Sequence, residues 1–141
     1  MIMNRSLRPG FERGSSTVEL LFVLPLLLLI MFGIVEASRA WLTASIVNAA
    51  AREGARIGVR TPAVGAGNTF DPAPAQTEID SILAGMSLTA GSSRSVTCAA
   101  PCLPGSQVTA TVSVPFTSIL PVMAAAIGTV TITETAVMRF E

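Results

Sequence analysis

Histidine, tyrosine and lysine are absent from this chain of 141 residues, which holds one tryptophan and two cysteines. Without histidine the commonest general base and metal ligand is missing, so no Ser-His or Cys-His nucleophilic pair can be assembled. Two cysteines alone cannot form a four-ligand zinc site. Charge is scarce too, at 13% of residues against about 25% in ordinary globular domains. Nine arginines balance nine acids, and a net charge of zero argues against nucleic acid as a partner. What remains is apolar: half the residues are hydrophobic and the mean hydropathy is +0.63. The composition describes a membrane-attached chain that is not an enzyme and holds neither cofactor nor metal.

The few charges are placed unevenly. Residues 1–14 carry Arg5, Arg8 and Arg13 against Glu12 alone, whereas Leu20 to Val35 contains no charged residue. Sixteen helical residues cover about 24 Å, short of a ~30 Å hydrocarbon core. Thr17 and Val18 before the run, and Ala37, Ala40, Trp41 and Leu42 after it, can complete a span over about 18–40. Trp41 then falls near the far interface, where aromatic rings are enriched. Arginines ahead of the run predict a cytoplasmic N-terminus, with everything after about residue 40 outside. Two other readings stay open. One is a plain uncleaved anchor. The other is a removed signal peptide cut after Val35-Glu36-Ala37, although this apolar core is longer than usual and nineteen residues precede it.

Glu19 is the odd residue, a carboxylate at the edge of an apolar helix, where burial is costly and the bland reading is snorkelling to the headgroups. It follows Gly14, Ser15, Ser16, Thr17 and Val18 in order. A small residue, short polar residues and a lone acid before an apolar run resemble the cleavage site of type IV pilin-like proteins. In that family a prepilin peptidase cuts after the glycine on the cytoplasmic side, and the acid stands fifth after the cut, as Glu19 does after Gly14. The resemblance continues through Leu24-Pro25-Leu26, Gly33-Ile34-Val35-Glu36 and Asn48 to Arg56, and loosely through Thr129 to Glu141. Together these segments resemble the TadE-like minor pseudopilins of the tight-adherence (Flp) pilus. That family often has Tyr or Phe after the acid, where this chain has Leu20.

The resemblance implies a cytoplasmic leader over 1–14, processing at the Gly14–Ser15 bond, and an assembly role for Glu19. Removing the leader leaves six arginines against eight acids, a net charge of −2. It also implies as partners the prepilin peptidase, other pilin-like subunits and inner-membrane pilus assembly proteins, met through the N-terminal helix, besides membrane lipid. The implied location is the bacterial inner membrane, in a single pass with the C-terminal head outside and with incorporation into a pilus left open.

Beyond Trp41 the helix is expected to run to Arg60, because Thr61–Pro62 disfavours its continuation. Gly54, Gly58 and the neighbouring alanines form a stripe that lets another helix approach, on the chain's own head first and then on sister subunits, unless the extension is simply solvated. Residues 61–75 read as a loop. Ile79, Ile82, Leu83 and Met86 mark a short amphipathic helix over 75–86. Val108, Ala110, Val112 and Val114 alternate with polar residues, as do Val130 and Ile132, so both segments read as strands. Residues 118–128 are either a short helix or a packed loop. The fold class is therefore α+β: a long N-terminal pilin-like helix over 15–60, then a small extracytoplasmic head over 61–141 with about three antiparallel strands.

A head of about 80 residues is near the lower limit for a self-sufficient core. An oxidising compartment favours a Cys98–Cys102 disulfide closing Ala99-Ala100-Pro101. The redox-motif reading is weak, since C-x-x-x-C is not C-x-x-C. Three function classes compete: a structural component of the Flp pilus, a generic single-pass anchored extracytoplasmic binding module, and a secreted protein, whose enzymatic version lacks a base.

Overall fold

A computed structural model of the chain describes residues 13–61, 70–100, 102, 103 and 105–139. The expected leader positions 1–12, including Arg5, Arg8 and Glu12, and the loop positions 62–69 lie outside the described residues, as do Phe140 and Glu141. The elements run α1 (Arg13–Arg60), α2 (Ala73–Gly85), β1 (Ser93–Cys98), β2 (Gln107–Thr117), α3 (Pro121–Ile127) and β3 (Thr129–Arg139). The architecture is α+β, as expected. The chain divides into two compact units, Met1–Ala37 and Ser38–Glu141.

The first unit contributes the apolar half of α1, with Pro25 inside the helix. In the second, residues 38–60 of α1 are an element of the head's core. Val47, Ala50, Ala51 and Ala55 are fully buried, at the three- and four-residue spacings that put them on one helix face. Gly54 and Gly58 lie on that face. A Cβ on Gly54 would sit 2.5 Å from Ile79 Cδ1 of α2, and one on Gly58 would sit 2.8 Å from Val108 Cγ1 of β2. The small-residue stripe is thus spent on the chain's own head and is not left open for a sister helix. The helix stops where expected: the Thr61 N–H and hydroxyl both donate to the Ile57 carbonyl, at 3.1 and 2.9 Å.

Helix α2 opens after Pro72, with the Asp71 carboxylate accepting from the Ala73 N–H at 2.9 Å. It closes with the Leu88 N–H donating back to the Leu83 carbonyl at 2.9 Å, which places Ser87 at φ 55°. That is the six-to-one bond of a Schellman ending, made here without the usual glycine. Ala75, Ile79 and Leu83 form its buried face.

The sheet is antiparallel in the order β1-β2-β3, with Val112 opposite both Arg94 and Glu134. On the central strand Val108, Ala110, Val112 and Val114 are buried against the helices, while the residues between them point outward. That outward face is a carpet of hydroxyls: Ser93, Ser113 and Thr133 form one row, Ser95, Thr111 and Thr135 the next. Ser113 and Thr133 hydroxyls lie 2.8 Å apart, and those of Thr111 and Thr135 3.2 Å apart. Segment 118–128 resolves as the short helix α3.

If the glycines set the approach of α1 to the head, filling their space must be costly. Gly58→Val is expected to destabilise the head by about 1–3 kcal/mol through overpacking. Gly33→Ala, at a position with nothing within 4 Å of the added Cβ, is expected to leave head stability unchanged. Denaturant melts of the full chain in detergent, read on head-specific signals, distinguish the two.

Candidate functional site

Leu20 to Val35 presents apolar side chains all around the helix, from Leu20 and Phe22 to Leu29 and Ile34, and none of the large ones is buried in the chain itself. Among the described residues, α1 is the one helix long and apolar enough to cross a membrane. A surface of this kind, uniformly exposed and apolar, is stable in hydrocarbon and not in water. Every backbone N–H and C=O in the run is satisfied within the helix apart from the bond Pro25 cannot donate, which is what a bilayer demands.

The expected processing and assembly residues lie at the start of this helix. Gly14 and Ser15 are in its first turn, and Glu19 is exposed one turn further on. Ser15 and Glu19 are four positions apart, about 6 Å along the helix axis. Glu19 is the only charge between Arg13 and Glu36. Glu36 differs, since its side chain is 7% exposed and engaged in an interaction.

Within the head, a shallow groove of about 340 Å³ lies between α1 and β3, lined by Trp41, Ala44, Ser45, Asn48 and Glu134. The four α1 residues recur at three- and four-residue spacing and form one ridge. Asn48 Nδ2 donates to Glu134 Oε2 at 3.2 Å and ties the helix to the edge strand. Arg39 lies at the other end of the sheet, its guanidinium carbon 5.3 Å from the centre of the Phe116 ring, in cation–π range. Neither link was expected from the sequence. Eighty-six residues separate Asn48 from Glu134, and no local pattern joins them.

Cys98 and Cys102 are joined by a disulfide, with their Cα atoms 5.7 Å apart. It closes the turn that leaves β1, where the Ala99 N–H donates to the Gln107 carbonyl at 2.9 Å. Among the described residues no cysteine is free, and no three His, Cys, Asp or Glu side chains are grouped to hold a metal ion. Ion pairs also link the surface of the head. Arg94 Nη2 lies 2.6 Å from Asp80 Oδ2 and joins β1 to α2, and Arg56 pairs with Glu53 along α1. The hydrogen bond from Arg56 holds the Glu53 carboxyl below its ordinary range, so this pair persists at neutral pH and is lost as pH falls through that lowered value.

Residues 14–56 match the family described as TadE-like protein. The matched span begins at the glycine of the expected processing bond and covers most of α1, and the loosely similar tail over 129–141 is outside it. No curated protein and no solved structure matches the chain.

Two links of the head can be weighed separately. Asn48→Ala removes a half-buried donor to a carboxylate and is expected to cost about 1–2 kcal/mol of head stability. The Cys98→Ser, Cys102→Ser double variant is expected to cost about 2 kcal/mol, the chain-entropy value for so short a loop. Thermal or urea unfolding of the full chain in detergent measures both. The two losses should add, because the links lie in different parts of the sheet.

Proposed function

We propose that this chain, whose residues 14–56 match the TadE-like family, is a minor pseudopilin. As a structural component of the tight-adherence pilus it is cut by a prepilin peptidase after Gly14. One observation carries the reading: a lone carboxylate, Glu19, stands fifth after a glycine at the head of an apolar helix whose large side chains are exposed. A plain anchor has no use for a charge there, and placing one in hydrocarbon is unfavourable.

Cleavage gives that charge a partner. It creates an α-amine on Ser15 with a reference pKa of about 7.7–8.0, cationic for much of the time at neutral pH. Within one chain this amine and Glu19 are a full turn apart. Between two chains staggered along their axes, the amine of one can meet the carboxylate of the next. Such a pair offsets the cost of carrying Glu19 into an apolar bundle and fixes the axial register of neighbours, as buried polar residues do in coiled coils. The role is one of assembly, with the other pilin-like subunits and inner-membrane assembly proteins as partners.

Orientation follows from the arginines before the run, which keep the N-terminus in the cytoplasm and send the head out of the inner membrane. The Cys98–Cys102 disulfide suits the oxidising side. Pilus-associated assembly, and not catalysis, is the reading supported by a chain with no histidine and a TadE-like anchor.

N-terminal sequencing of the protein isolated from its native membrane tests the cut. A start at Ser15 is expected; a start at Ser38 would mean a secreted head, and an intact Met1 an ordinary anchor. Replacing Gly14 with a bulky residue should leave the leader attached. Glu19→Ala should still be cleaved and inserted but lose co-purification with partner subunits, and unchanged association would remove Glu19 from the assembly role.

A further inference from the structure

The head segregates its charge along the sheet. From Ser95 to Thr133 the sequence contains no charged residue. Arg94 and Glu134 share one row across the strands, opposite Val112. On α1, Arg52, Glu53 and Arg56 lie beyond that row, toward the level where Gly58 meets Val108. Asp80 of α2 reaches only as far as Arg94. On the other side of the row the sheet ends at the Thr117–Thr129 pair, and the connection between β2 and β3 is α3 with its flanking residues. That tip is apolar and exposed: Ile119 is 68% exposed and Ile127 59%. It is also ordered, with the Leu120 N–H bonded to Ser118 Oγ at 3.1 Å and the Ala124 N–H to the Leu120 carbonyl at 2.8 Å.

Arg39 is the one charge on this side of the row among the described residues of the head, and its contact with Phe116 puts it at the level of the tip. It also follows Val35, the last residue of the uncharged run, by four positions. Trp41, two residues on, is 78% exposed. The apolar end of the head is therefore the end at which its own stretch of α1 begins, at Ser38.

We propose that this tip, Ile119 and Ile127 on the α3 connection together with Trp41, is seated in the interfacial layer of the bilayer, as a second lipid contact besides the spanning helix. The proposal rests on the reading of α1 as a membrane anchor. Apolar side chains on a short ordered element, beside a cation and a tryptophan, match the headgroup–acyl boundary: hydrocarbon takes the isoleucines, the lipid phosphate takes Arg39 and the interface takes the indole. The hydroxyl carpet and the charged rows stay in water. Seated this way, the head is held at a fixed height and tilt instead of swinging on its helix.

The test uses the full chain in phosphatidylcholine–phosphatidylglycerol nanodiscs, one chain per disc, with part of the phosphatidylcholine brominated in its acyl chains. Trp41→Phe removes the native indole, and single tryptophans are returned as Ile127→Trp, as Phe32→Trp within the run, and as Leu103→Trp beyond the opposite end of the sheet. The expected result is fluorescence quenching of Ile127→Trp about twofold or more above that of Leu103→Trp, approaching that of Phe32→Trp. If Phe32→Trp is quenched and Ile127→Trp behaves like Leu103→Trp, the tip does not touch lipid and the anchor reading survives alone. If Phe32→Trp is also unquenched, the anchor reading fails and this one with it. A blue-shifted Ile127→Trp that bromine does not quench would mean that protein covers the tip, and would overturn the proposal.

Discussion

The close approach of α1 to the rest of the head is the constraint on which the structure depends. A helix can lie on a twisted three-stranded sheet and touch a second helix only if its facing side chains are small. Ala50, Ala51, Gly54, Ala55 and Gly58 supply that surface. The larger groups come from the opposing side, with Ile79 and Leu83 from α2 and the valines of β2 filling the space that the stripe leaves. The outcome is a dense but thin core, since alanine and glycine bury little apolar area each. This explains why so small a head also uses a disulfide, a helix-to-strand hydrogen bond and a cation–π contact at its margins.

One helix therefore carries two kinds of surface in succession. Over Leu20 to Val35 it is apolar on every side, and over Val47 to Gly58 on one side only. The first pattern needs hydrocarbon around it and the second needs a protein face. Backbone continuity through Trp41 makes the two solvents adjacent, so the residues near the changeover must suit both. Arginine, tryptophan and threonine do. Arg39 has a long apolar stem and a charged end, Trp41 an apolar ring with one donor, and the Thr43 hydroxyl folds back onto the Arg39 carbonyl at 3.0 Å.

Much of this was legible in the sequence, and the reasons differ from element to element. Strict alternation in β2 and a run without charge in α1 are strong local signals, because each residue obeys the period its environment imposes. The end of α1 at Arg60 was readable for a similar reason, since proline acts on its immediate predecessor. Strand β1 was faint, as Val96 is its one buried residue and Ser93 and Ser95 are equally at home in a loop. Segment 118–128 was ambiguous because an apolar run with no polar partner pattern fits a helix or a packed loop alike. The Gly54–Gly58 stripe announced a close neighbour, and its packing on the chain's own head came as expected, against α2 and β2; a small surface alone does not name Ile79 or Val108 as the residues it meets. Asn48 with Glu134, and Arg39 with Phe116, are products of topology, which brings together residues that no spacing rule connects.

The hydroxyl carpet settles why a single layer of helices is enough. A three-stranded sheet with two apolar faces would need a second layer to cover it, and a head of Ser38–Glu141 has no further element to supply one among its described residues. Serine and threonine on the outward positions keep strand propensity, satisfy one another across the rows and remain wet, so the outer face asks for no cover. Charge would have served water as well, but lysine is absent and this face holds one arginine at its end, Arg139 opposite Gln107. Neutral hydroxyls give a face that repels neither a copy of itself nor an uncharged neighbour. In the assembly proposed above, a face of this kind would leave the spacing of neighbours to the apolar helix and Glu19.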